Sequence, residues 1–146
     1  MNRLSIAERA RIVSCLVEGN SLRATARITG FARMTIEKLL RDLGAACQQY
    51  HDAHVSELTC QRVQADEIWA FCYARKKNVP EEKKGVFGFG DVWTWTAIDA
   101  DTKLMISWRV DDRSGEAAEA FMRDVASRIV NRVQLTTDGL HAYLRC

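Results

Sequence analysis

Two aspartates carry the strongest chemical signal in this chain. Asp66 lies inside Val63-Gln-Ala-Asp-Glu-Ile-Trp-Ala-Phe71, and Asp138 lies near the end of Leu135-Thr-Thr-Asp-Gly139; both are short runs of strand-forming residues. Carboxylates are depleted in strands and costly to bury unpaired. Two of them in separate strands of one small domain suggest a shared cation. Mg²⁺ or Mn²⁺ takes oxygen ligands, and phosphoryl-transfer enzymes place carboxylates around such ions. Asp99, Asp101, Asp111 and Asp112 compete for the role, but they sit in or beside predicted turns, where aspartate needs no special reason. Glu67 adjoins Asp66, yet strand alternation predicts that it faces the opposite side of the sheet. Spacing alone leaves the choice among these acids open.

The elements that must position them begin at Arg62. Arg62–Tyr73 alternates Val63, Ala65, Trp69, Phe71 and Tyr73 with Asp66, Ile68, Ala70 and Cys72, which predicts a strand. Val92–Asp99 and Leu104–Val110 follow as strands, joined by the polar turn Ala100-Asp-Thr-Lys103. The segment between the first two strands holds Pro80 with Arg75, Lys76, Lys77, Lys83 and Lys84. It reads first as a solvated loop and second as a DNA contact. Ser114 caps a helix predicted over 115–130, with Ala118, Phe121, Met122, Val125 and Ile129 as its buried stripe, and Val133–Asp138 is a fourth strand. A helix returning to a sheet usually makes the next strand parallel to its neighbour. If that strand pairs beside the first, Asp138 approaches Asp66.

Residues 1–50 read as helices. Ser5 and Glu8 have capping-box spacing, and Ile6, Ile12, Val13, Leu16 and Val17 follow as an apolar stripe. Ser21 caps a short second helix that Gly30 ends, and a third runs from about Arg33 to about Tyr50. Two short helices across a Gly-containing turn form a helix-turn-helix pattern. Ala26 allows close approach, and Ile36 and Leu39 point back into the core. Thr25 and Thr29 occupy positions more often apolar. Arg33, Thr35, Lys38 and Arg41 fall on the outer face of the third helix, where bases and phosphates would be met. Arg23 and Arg27 on the second helix complete the candidate DNA-binding set. Residues 51–61 are polar and mixed, and are expected to form a linker.

Composition is compatible with this division. Apolar residues make up 47% and charged residues 27%, which excludes a disordered chain. Residues 1–65 hold nine Lys/Arg against six Asp/Glu, and residues 66–146 hold twelve against thirteen. The basic excess of the first part suits nucleic acid but is too small to establish it. Five cysteines without a C-x-x-C pair fit free thiols in a reducing cytosol. No membrane span or signal-peptide core is visible, so a cytoplasmic location is expected.

Four stretches carry a resemblance: Asn20-Ser-Leu-Arg-Ala-Thr-Ala-Arg27, Arg62-Val-Gln-Ala-Asp-Glu-Ile-Trp69, Asp91-Val-Trp-Thr-Trp-Thr-Ala-Ile-Asp-Ala-Asp-Thr-Lys103 and Arg132-Val-Gln-Leu-Thr-Thr-Asp-Gly139. Together they resemble transposases of the bacterial insertion sequence one family. The resemblance implies an α+β chain in two parts: an all-α helix-turn-helix over 1–50, then a ribonuclease H-like α/β domain over 62–146 in the order strand-strand-strand-helix-strand. It implies DNA transposition by a DDE-type acidic site, with Asp66 as first acid, Asp138 as second, and two Mg²⁺ or Mn²⁺ ions. The implied partner is double-stranded DNA at the element's terminal inverted repeats, and a homo-oligomer is compatible.

Two departures qualify these expectations. No zinc ligands precede the first helix, where family members often carry a zinc-binding segment. The family's third acid lies downstream of the second, and residues 140–146 offer only His141. The ribonuclease H-like domain is therefore expected to be incomplete and the chain inactive in strand transfer by itself. The alternatives are a non-catalytic DNA-binding repressor of transposition and a helix-turn-helix transcription regulator; the paired aspartates argue against the regulator.

Overall fold

The computed structural model describes residues 4–86, 88–139 and 143. The chain divides into two compact units, Met1–His54 and Val55–Cys146. His141 lies outside the described residues.

Three helices build the first unit: α1 (Ile6–Val17), α2 (Leu22–Thr29) and α3 (Arg33–His54). The capping box at α1 is complete, with the Glu8 amide donating to Ser5 Oγ at 3.2 Å and the Ser5 amide to Glu8 Oε2 at 2.7 Å. Ser21 caps α2, and Gly30 closes it in the left-handed region at φ 80°. Ile12, Ile36 and Thr25 are fully buried, and Thr29 is nearly so. Thr29 Oγ1 donates to the Thr25 carbonyl at 2.7 Å, whereas Thr25 Oγ1 is buried without a partner. The expected α1 stripe is narrower than its sequence spacing suggested. Ile6 and Val17 are 80% and 76% exposed, because they flank the line through Ile12 and Leu16 that meets the other helices.

The expected linker over 51–61 is corrected. With no Gly or Pro over residues 45–54 to stop it, α3 continues to His54, whose ring stacks on Tyr50. Residues 55–61 belong to the second unit. Leu58 forms a parallel bridge with Ile129, Cys60 is buried, and the Asn131 side chain bonds both the amide and the carbonyl of Cys60. The apolar Leu58 and Cys60 thus anchor an otherwise polar stretch.

The second unit holds β1 (Arg62–Cys72), β2 (Gly90–Asp99), β3 (Met105–Asp111), α4 (Gly115–Ser127) and β4 (Gln134–Thr136), with two short 3₁₀ turns between β1 and β2. The element order is the one expected from sequence. The sheet order is β3-β2-β1-β4; β1 pairs antiparallel with β2, β2 antiparallel with β3, and β1 parallel with β4. Four α-helices and a mixed four-stranded sheet make an α+β chain among the described residues. Val63 and Ala65 of β1, Trp95 and Ala97 of β2 and Ile106 of β3 enclose one core with Ala117, Ala118, Phe121 and Val125 of α4. Helix α4 ends at Ser127, short of the expected Val130, because Leu58 takes the backbone groups of Arg128 and Val130 into its bridge. Strand β4 stops at Thr136, so Asp138 lies two residues beyond it. No helix among the described residues is long and apolar enough to cross a membrane.

Candidate metal centre

The parallel register decides where the two aspartates fall. Val63 pairs with Leu135 and Gln64 with Thr136. Parallel strands advance together, so two residues past the last pair Asp66 and Asp138 stand level. Their carboxylate oxygens lie within 4.8 Å of one another, and an oxygen of Glu67 falls in the same group. The backbone alternation is as expected, with Val63 and Ala65 buried and Asp66 exposed. The expectation that Glu67 is turned away from the pair is nonetheless corrected. Among the described residues β4 pairing ends at Gln64, so the β1 edge beside Asp66 and Glu67 is unpaired, and the longer glutamate side chain reaches the same space.

The three acids differ in setting. The Glu67 side chain is 1% exposed, and among the described residues no group meets its Oε1 with full hydrogen-bond geometry. Asp138 is 46% exposed at its side chain. Asp66 Oδ1 accepts the Glu67 amide at 2.8 Å. Among the described residues a cation meets the group: Arg113, in the loop between β3 and α4, reaches Glu67 Oε2 at 3.0 Å and Asp138 Oδ2 at 3.7 Å. Its guanidinium sits 4.6 Å from the centroid of the Trp93 ring. Tyr143 packs edge-on against Trp95, and its buried hydroxyl lies near the cluster without reaching hydrogen-bond geometry. Burial pushes the Tyr143 phenol well above its ordinary value, and its interaction with the Glu67 carboxylate and the charges of Glu67, Asp138 and Asp66 add to the shift.

Rival acids are occupied locally. Asp99 accepts Thr102 Oγ1 at 2.6 Å and the Asp101 amide at 3.2 Å, which holds its carboxyl below the usual value. Asp112 accepts the Ser114 amide at 2.9 Å, Asp111 pairs with Arg109, and Asp101 pairs with Arg62. The donor chemistry at Asp66 and Asp138 fits a hard divalent ion. Octahedral oxygens at about 2.1 Å from magnesium are spaced by about 3–4 Å, so a 4.8 Å spread closes by side-chain adjustment.

All six candidate DNA-binding residues, Arg23, Arg27, Arg33, Thr35, Lys38 and Arg41, are exposed on the first unit. Arg33 pairs with Glu37 at 3.0 Å and Lys38 with Asp42 at 2.7 Å, each one helical turn on. Sequence reasoning missed Arg113 and Tyr143, and set Glu67 aside. Only Glu67 left a signal, through its adjacency to Asp66.

No family model matches the chain, and no curated protein does. Among solved structures it is similar to the crystal structure of the Mos1 strand transfer complex, at 14% identity and a TM-score of 0.36, over 99% of this chain and 55% of that one. The chain thus spans about half the length of that relative.

Proposed function

We propose that this protein is a DNA transposase in which an N-terminal helix-turn-helix unit binds duplex DNA and a ribonuclease H-like unit carries out metal-dependent phosphoryl transfer on DNA strands. The observation that supports this reading is the β1–β4 register, which sets Asp66 and Asp138 level at one end of the sheet. Three antiparallel-linked strands, a helix and a parallel strand are the arrangement that the ribonuclease H-like reading expects. Mg²⁺ or Mn²⁺, when bound, supplies charge neutralisation and an activated oxygen nucleophile at phosphorus. Asp66 and Asp138 would hold the ion at an exposed rim that a DNA backbone can reach. Lys76, Lys77, Lys84 and Arg113 line an adjoining cleft and offer positive charge to that backbone. Arg23, Arg27, Arg33, Thr35, Lys38 and Arg41 contact the duplex at terminal inverted repeats.

Supercoiled plasmid incubated with the protein and Mn²⁺ or Mg²⁺, beside retention of duplex DNA on a filter, tests the assignment. The sequence-based expectation is an inactive chain; because Glu67 joins Asp66 and Asp138 in one carboxylate group, the expected result is instead metal-dependent nicking that Asp66→Asn and Asp138→Asn each abolish, with duplex retention unchanged. Nicking that survives either substitution refutes the choice of acids. Metal and duplex both bound with no nicking would assign the chain the repressor role instead.

A further inference from the structure

We propose that Glu67 is a third carboxylate ligand of the divalent ion, and that Arg113 is the resident cation which the ion displaces from Glu67 and Asp138. This rests on the reading of Asp66 and Asp138 as metal ligands. The acidic cluster alone would not carry it. The independent observation is the state of Glu67: its side chain is 1% exposed, one oxygen is held by Arg113, and among the described residues no group meets the other with full hydrogen-bond geometry. A buried carboxylate with an unsatisfied oxygen is costly. The buried Tyr143 hydroxyl lies beside Glu67 at the margin of a hydrogen bond to its carboxylate, short of full hydrogen-bond geometry. One oxygen of Glu67 belongs to the group that it forms with Asp66 and Asp138.

Arg113 is built to leave. Its backbone is fixed, because Trp95 Nε1 donates to the Asp112 carbonyl at 2.9 Å and the Ser114 amide bonds the Asp112 side chain. Its side chain is 38% exposed and lies on the Trp93 face. It can therefore withdraw from the acids without unpacking the core. Glu67 cannot follow it to solvent, so withdrawal leaves a buried negative charge that only another cation satisfies. The guanidinium thus keeps the acids together before the ion arrives. Once displaced, it stays at the mouth of the basic cleft it lines with Lys76 and Lys77.

Mn²⁺ binding to the intact chain, followed by electron paramagnetic resonance of the free ion, tests this without reference to DNA cleavage. Glu67→Gln is expected to weaken binding by about tenfold or more, since even groups that only support a ligand cost 10–100-fold. Arg113→Gln is expected to tighten binding by about tenfold, because it removes a competing charge at the same carboxylates. That opposite sign keeps the test valid if Glu67→Gln folds poorly, since damage to the fold does not tighten a site. Unchanged affinity in Arg113→Gln, or in a folded Glu67→Gln variant, overturns the inference. Asp66→Asn and Asp138→Asn separate the two levels: if neither weakens Mn²⁺ binding, the metal-site reading itself has failed. If both do while the Glu67 and Arg113 variants match wild type, only the present inference has failed.

Discussion

Replacing Asp66 with Asn is expected to make the metal-free protein more stable while removing its response to metal. Three carboxylates offer oxygens within 4.8 Å of one another, and the Arg113 guanidinium is bonded to two of them, Glu67 and Asp138. Two unit charges at that distance repel by about 0.9 kcal/mol in water and about 3.5 kcal/mol at an effective dielectric of 20. Asp66 is exposed, so the lower figure governs its repulsion with Asp138, while the buried Glu67 raises the second pair somewhat. Neutralising Asp66 should therefore stabilise the metal-free unit by about 1–2 kcal/mol. The substituted amide oxygen can still accept the Glu67 amide, so little is lost in exchange. At about 4–8 °C per kcal/mol for a unit of this size, Tm rises by about 4–16 °C. With about 10 mM Mg²⁺ and a Kd of about 1 mM, wild type gains about 1.4 kcal/mol, and the variant gains nothing. All four tryptophans, Trp69, Trp93, Trp95 and Trp108, lie in the second unit, so tryptophan fluorescence during thermal unfolding reports that unit alone. A folded variant with a lower metal-free Tm, or one that keeps the Mg²⁺ increment, would refute the electrostatic argument.

The first unit makes a parallel test of burial. Thr25→Val should stabilise it by about 1–2 kcal/mol by removing a buried hydroxyl that has no partner, whereas Thr29→Val should cost about 1 kcal/mol by deleting the bond to the Thr25 carbonyl; urea unfolding followed at 222 nm distinguishes the two, and equal effects would contradict the burial pattern. Combined Arg33→Ala, Lys38→Ala and Arg41→Ala should lower the slope of log K for duplex DNA against log salt by up to about three, with an unchanged slope removing α3 from the interface. The Asp99 carboxyl, held below its ordinary 3.8 chiefly by the Thr102 hydroxyl, contributes stability that is present above pH 3.8 and is lost as pH falls through its folded value. Thr102→Val should weaken that acid dependence in urea titrations, and an unaltered acid limb would show that another carboxylate dominates.

How much of this was legible in the sequence depended on how local each cause was. Ser5, Ser21 and Ser114 cap helices through bonds to amides three residues on, so the helix starts were readable from a few adjacent letters. Gly30 was readable because a left-handed helix end favours its missing side chain. Asp66 and Asp138 could be marked as out of place in strands, but what brings them level is the β1–β4 register, and that follows from a helix crossing back over the sheet. The errors arose where a distant partner decided the outcome. Leu58 and Cys60 looked like linker residues because Ile129 and Asn131, which hold them, lie some 70 positions away. Glu67 was set aside by strand alternation, a rule that describes where a side chain leaves the backbone and not where its last atoms arrive. At an unpaired sheet edge those atoms turn toward whatever charge is near, and here that is Arg113 from the next loop. Arg113 left no sequence signal, since an arginine before a capping serine is ordinary in a loop. Its position makes it the most informative residue to change, because its removal should strengthen the metal site even though it takes away one of that site's own ion pairs.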